Sequence, residues 1–157
     1  MSANLFAWIA HSPLAGWVVS EAWIWPTLET IHFVSLCVLM GGLLVVDLRL
    51  MGFFRTACAA TADLFVRMSL IAFATNLATG MLFFFGNTYK YVGNAAFEIK
   101  LVLILAAGIN AIYYRFRLRA LLDTNGVTRD SIAVGAFSLV LWAGVIVCGR
   151  MITFYAP

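Results

Sequence analysis

Four stretches of this chain are apolar over lengths that match the width of a bilayer, at about 28–46, 68–85, 99–114 and 132–149. A helix needs about 17–25 residues to cross a hydrocarbon core of about 30 Å. Inside lipid the backbone must satisfy its own hydrogen bonds, so a spanning segment of this kind is a helix. The third stretch is short unless Glu98 and Lys100 are partly immersed. Composition agrees with a lipid environment. Apolar residues make up 64% of the chain and charged residues 11%, against roughly 45–50% and 25% in soluble proteins. So few charges could not cover a soluble domain of this size. The expected fold is all-α, an integral membrane four-helix bundle that forms a single domain over 1–157.

Arginine placement sets the expected orientation. Arg49, Arg55 and Arg67 lie between the first and second spans, and Arg115, Arg117, Arg119 and Arg129 between the third and fourth. The connection between the second and third spans carries only Lys90. Cytoplasmic connections are the Lys/Arg-rich ones, so both termini are expected on the outer face, the periplasm if the membrane is a bacterial inner membrane. The net charge of +3 is spent on this topology, with no basic tail and no basic-aromatic interleaving of the kind that binds nucleic acid. The first twenty residues carry no Lys or Arg, so the charged start of a signal peptide is missing and the first span is expected to act as its own targeting signal.

Residues 1–25 form an N-terminal interfacial segment in this reading. Ser12 can cap a helix that begins at Pro13. Trp8, Trp17, Trp23 and Trp25 favour the membrane-water boundary. One or two short helices on the outer surface are expected, with a partly re-entrant helix as the alternative, and Pro26 opens the first span. Thr124-Asn125-Gly126 and Gly93-Asn94 read as turns. The short connections make successive helices antiparallel neighbours.

Polar residues within the spans carry the functional information, because each costs several kcal/mol in hydrocarbon, on the order of 2.5–3.5 for a charge. Glu29 and His32 are three apart and share a helix face. Lys100 and Arg150 sit at the outer ends of the third and fourth spans, and Glu98 lies near the same level. Asn76, Thr79 and Gly80 lie near mid-depth on the second span, and Asn110 deeper on the third. Asp47 and Arg49 stand at the cytoplasmic exit of the first, where Asp47 reads as a cap or as the partner of a nearby Arg. The bland reading of the outer cluster is snorkelling to headgroups or a satisfied ion-pair network.

Three functional readings compete with the bland one. His32 could ligate the iron of a b-type haem, with Lys100 and Arg150 on the propionates. It could bind a metal together with Glu29. It could handle a proton at a quinone or small-molecule pocket. His11 reads as a surface residue. Cys37, Cys58 and Cys148 read as small hydrophobes. The four-residue spacing of Ala74 and Ala78, Ala107 and Ala111, and Gly144 and Cys148 suits close helix packing.

Several strings in order resemble a family of small bacterial inner-membrane proteins with no assigned activity. They are Trp25-Pro26-Thr27-Leu28-Glu29-Thr30-Ile31-His32, Asp47-Leu48-Arg49-Leu50-Met51-Gly52, Thr79-Gly80-Met81-Leu82-Phe83, Asn94-Ala95-Ala96-Phe97 with Lys100, and Ala107-Gly108-Ile109-Asn110-Ala111. They run from about Trp23 to Tyr114. A more distant likeness is to haem-associated four-helix membrane proteins, the protoporphyrinogen oxidase of bacterial haem synthesis and the membrane part of copper-resistance proteins. It rests on His32 early in a helix that ends in Arg49-Leu50, and on Lys100 early in a later helix. Where some of those relatives carry a further His, this chain has Tyr113-Tyr114-Arg115.

The residues and the resemblance imply a membrane protein with a polar outer-leaflet site at His32, Glu29, Lys100 and Arg150. On one reading it binds haem b and passes electrons to a quinone or a membrane redox partner. On the other it is a non-enzymatic assembly subunit, a small transporter or a pore. On the first reading His32 is the axial ligand or a catalytic group, and Lys100 and Arg150 bind the carboxylates of haem or of a porphyrin substrate, so whether the protein is an enzyme stays open. Faces of small residues suit a homo-oligomer.

Overall fold

The computed structural model describes residues 2–53, 59–119, 122 and 126–155. Arg55, Cys58 and the Thr124-Asn125 part of the expected turn fall outside them. Among the described residues the chain is helical without strands. Two short helices come first, α1 (Ser2–Ala10) and α2 (Pro13–Ser20), followed by α3 (Ile24–Leu50), α4 (Ala59–Gly86), a single turn α5 (Thr88–Tyr91), α6 (Ala95–Tyr113) and α7 (Arg129–Met151). Four of them are long and apolar enough to cross a membrane. The protein is a multi-pass integral membrane protein with its spans in contact with lipid. α1 and the last turn of α7 lie at one end of the bundle, called here the terminal end, and Arg49 and Arg119 lie at the other, called here the arginine-rich end.

The spans are longer than the apolar runs suggest because capping residues and flanking polar residues extend them. The third shows this best. Its N-terminus is set by Asn94, whose side chain accepts from the backbone N–H of Ala96 and Phe97 at 3.0 and 3.3 Å. That places Glu98 and Lys100 inside the helix. At the other end α6 continues through a π-helical turn, Tyr114–Leu118. At the N-terminus Ser12 accepts from Ala15 N–H at 3.2 Å with Pro13 in the first helical position, as the sequence predicts. Pro26 falls in the first turn of α3, two residues after its start. Thr128 and Ser131 close a capping box on α7.

α3 and α7 run through the middle, α4 packs against α3, and α6 packs against α7. α3 buries Leu28, Ser35, Leu39, Gly42, Val46 and Leu50, a stripe with steps of three, four and seven that faces one side of a helix. α7 answers with Ser131, Gly135, Ser138, Trp142 and Val145. Small residues allow the closest approaches. A Cβ on Gly42 would collide with Ser69 Oγ of α4, and one on Gly135 would lie 2.7 Å from the Asp47 carbonyl oxygen. The Ser131 hydroxyl donates to the Leu50 carbonyl at 3.0 Å beside the second contact. These glycines, and not the Ala74 and Ala78 pair, form the tight crossings; both of those alanines are exposed.

The surface confirms lipid as the surroundings. On α6, Val102, Leu105 and Ile109 are 65%, 68% and 69% exposed. An apolar face of that kind is a liability in water and ordinary in a bilayer. Trp8, Trp17 and Trp23 are exposed at the terminal end, where a boundary belt is expected. α2 is anchored there by Val18, which is fully buried and packs where Gly86 leaves room.

Candidate functional site

His32 lies on α3, two turns into the span, half-buried against α4. Its Nδ1 is 2.7 Å from Thr79 Oγ1. The Thr79 hydroxyl also lies 2.8 Å from the Thr75 carbonyl oxygen, to which it donates. Back-bonding of this kind is ordinary for Thr within a helix. With its one proton turned to Thr75, the hydroxyl accepts from His32; in that arrangement Nδ1 carries the ring proton and Nε2 of the neutral ring has the lone pair. Phe83 meets the ring edge-on at a centroid distance of 5.4 Å. Gly80 faces the ring as well, and a Cβ there would make ordinary contact with it, 3.8 Å from His32 Cε1.

One turn deeper, Asn76 Nδ2 donates to Ser35 Oγ at 2.7 Å, and the Ser35 hydroxyl donates to the His32 carbonyl at 3.0 Å. The α3–α4 seam is thus polar over two turns and holds His32 by both ring and backbone.

Lys100 reaches the same level from α6. Its Nζ lies beside Gly149 of α7, where an added Cβ would stand 3.4 Å away in ordinary contact. The ammonium is close enough to His32 for the two to interact electrostatically. Among the described residues the one ion pair is Arg119 with Asp63, at the arginine-rich end. Lys100 thus stands half-buried without a carboxylate partner among those residues.

The other two expected site residues lie further out. Glu29 is exposed and accepts from the Trp25 indole N–H at 3.0 Å. It belongs to an aromatic layer at the terminal end, in which Trp25 meets Phe83 at 5.2 Å and Phe84 stacks on Phe97 at 5.9 Å. Tyr91 meets Phe97 at 5.2 Å in the same layer. Its partial burial, and then the negative charge of Glu29, push the Tyr91 phenol above its ordinary range. Arg150 is exposed, with its guanidinium 5.2 Å from the centre of the Phe154 ring. The structure therefore brings His32 and Lys100 together and leaves Glu29 and Arg150 at the rim. Among the described residues no three His, Cys, Asp or Glu side chains gather as metal ligands, so Glu29 and His32 have no third partner there.

Thr79 is the functional partner that sequence reasoning did not pair with His32. Its signal was present in the polar face of Thr75, Asn76 and Thr79 on α4. Asp47 also differs from expectation. It turns inward, 3% exposed, and the Ser138 hydroxyl hydrogen-bonds to its carboxyl group. Among the described residues it pairs with no Arg.

A half-buried imidazole held by Thr79, and beside it a cation without a carboxylate partner among the described residues, make a site suited to an acidic ligand, with or without a metal. Comparison with protein-family models, curated proteins and solved structures gives no match.

Proposed function

We propose that this membrane protein binds a planar, carboxylate-bearing cofactor, a b-type haem, at the terminal end of its bundle. The observation that carries the reading is the hydrogen bond from His32 to Thr79, which leaves Nε2 as the nitrogen free to act. Iron-ligating histidines commonly donate their other ring N–H to an oxygen acceptor, which fixes the tautomer and raises ligand basicity. His32 would be the axial ligand. Lys100 would hold one propionate, which would supply the counter-ion the ammonium lacks. Arg150, on the next residue after Gly149, is placed to hold a second at the rim. Glu29 would order the aromatic cover. When bound, the haem supplies one-electron chemistry, and a quinone or a membrane redox partner would exchange electrons with it. With the Arg-rich connections in the cytoplasm, this site lies in the outer leaflet of a bacterial inner membrane and both termini are periplasmic. The likeness to haem-associated four-helix membrane proteins at His32 and Lys100 supports the same reading.

The test is an absorption spectrum, oxidised and dithionite-reduced, of protein expressed with ample haem supply and purified in mild detergent. The expected result is a Soret band with reduced α and β bands, lost in His32→Ala and weakened in Lys100→Met. A flat visible spectrum overturns the proposal.

A second reading has its own support in the pairing of two interhelical hydrogen bonds, His32 with Thr79 and Asn76 with Ser35. Bonds of this kind hold membrane helices together, and they would serve an assembly subunit, a small transporter or a pore. On that reading the protein is colourless, His32→Ala loosens the bundle or its assembly into a homo-oligomer, and Lys100→Met keeps the fold while reducing any flux.

A further inference from the structure

The arginine-rich half of the bundle holds a cavity. It lies 15 residues along α3 from His32, roughly 22 Å at 1.5 Å per residue, and is independent of the haem reading. α4 and α6 flank the central pair without packing closely on each other there, and the space between them encloses about 440 Å³. Phe73, Tyr114 and Trp142 contribute aromatic walls, and most of the remaining lining is aliphatic.

Two polar atoms in this lining are buried without a hydrogen-bond partner, Asp47 Oδ2 and Ser69 Oγ. Asp47 is 3% exposed and Ser69 5%. A buried carboxyl oxygen without a donor is costly, and none of the donors in this lining reaches Asp47 Oδ2; the Asn110 amide, for one, donates to the Val134 carbonyl. One water occupies only about 30 Å³ of liquid volume and needs several polar partners, so water alone is a poor match for a cavity of this size and lining. Arg115 at the edge of the same space opposes a cationic ligand. A neutral ligand with a hydrogen-bond donor and an aromatic body meets every wall.

We infer that this cavity binds a lipid-soluble phenol, entering sideways from the bilayer between α4 and α6. The ring packs among Phe73, Tyr114 and Trp142, and the hydroxyl donates to Asp47 Oδ2. The Ser138 hydroxyl holds the carboxyl group in place.

The experiment uses the full chain in lipid nanodiscs, with 3-bromo-5-nonylphenol and its methyl ether as probes. The ring bromine quenches nearby indole fluorescence, and Trp142→Phe identifies the contribution of Trp142. The ether has the same body and no donor. The phenol is expected to quench Trp142 at about one-tenth the membrane concentration that the ether needs, the size of one hydrogen bond to a charged or polar acceptor. In Asp47→Asn, whose carboxamide keeps its oxygen toward Ser138 and turns a donor to the cavity, that tenfold preference disappears. Gly108→Phe fills the space from α6, where an added Cβ meets nothing within 4 Å, and is expected to abolish quenching by both probes. It serves as the deciding variant should Asp47→Asn fail to fold. Equal quenching by phenol and ether, no quenching of Trp142 at all, or displacement of the phenol by an equal amount of dodecylamine each overturns the inference.

Discussion

Replacing Gly135 by Ala tests the central α3–α7 crossing. The added methyl carbon would stand 2.7 Å from the Asp47 carbonyl oxygen, with Leu50 Cβ at 3.1 Å and Met51 Cγ at 3.2 Å. Ordinary contact begins near 3.4 Å, so about 0.7 Å must be found. The nearest atom is backbone within a helix, so a side-chain rotation cannot supply it and one helix must move. The Ser131 hydroxyl sits one turn away and reaches the Leu50 carbonyl at 3.0 Å. A shift of the same size takes that bond beyond hydrogen-bond range. Overpacking costs about 1–3 kcal/mol, and losing the bond adds about 0.5–1.5. Alanine in place of glycine in a helix recovers about 0.4–1. The expected net loss is about 1–3 kcal/mol. Gly41→Ala is the matched control on α3, because a Cβ there meets nothing within 4 Å, and it is expected to be neutral or slightly stabilising. Reversible unfolding by SDS titration in mixed micelles, followed by far-UV circular dichroism, reads both. A Gly135→Ala protein as stable as the Gly41→Ala protein would refute the crossing described here.

Thr79→Val keeps the shape of the side chain and removes the acceptor of the His32 ring proton. Interhelical hydrogen bonds in membranes average about 0.6 kcal/mol, so a small stability loss is expected, whereas on the proposed haem reading the affinity for added haem should fall about 10–100-fold; an unchanged affinity in haem titrations would remove Thr79 from the site. Asn94→Ala deletes the cap of α6 and the bonds to the Ile152 and Tyr155 carbonyls at 3.2 and 3.1 Å, for a loss of about 2–3 kcal/mol, checked by the same SDS titration. The Tyr91 phenol should ionise above the ordinary value of 10.0. Since folding favours its protonated form, stability is expected to fall as pH rises beyond that ordinary range. Glu29→Gln should lower the midpoint of the tyrosinate absorption step assigned to Tyr91 by comparison with Tyr91→Phe, and an unmoved midpoint would separate the two residues.

The existence and approximate depth of each span were legible because burial in lipid leaves a run of apolar residues. The start at Ser12-Pro13 was legible because capping chemistry is local. The length of α6 was half legible: the immersion of Glu98 and Lys100 was a condition of spanning, while the π-helical turn at Tyr114 left no mark. Rotation was not legible. In a soluble helix polarity marks the outward face, but here α6 is apolar on both its lipid face and its core face. Asp47 could therefore be read as a boundary cap when it in fact points at Ser138. The same ambiguity hid the pairing of His32 with Thr79, separated by 47 residues, and promoted Ala74 and Ala78 over Gly42 and Gly135 as crossing points. Sequence spacing placed Glu29, His32, Lys100 and Arg150 at one level. Only side-chain direction separates the inner pair, His32 and Lys100, from the outer two.

The Asn94 side chain has a consequence for the order of assembly. Its amide nitrogen reaches carbonyls 58 and 61 residues further along the chain, beyond the whole of α6 and α7. During synthesis α6 emerges long before those acceptors exist, and its start can be capped but not tied down. The second helical hairpin becomes a closed unit only when the last turn of α7 arrives and Ile152 and Tyr155 fold over Asn94. A chain released before residue 152 would hold all four spans with that clasp still open.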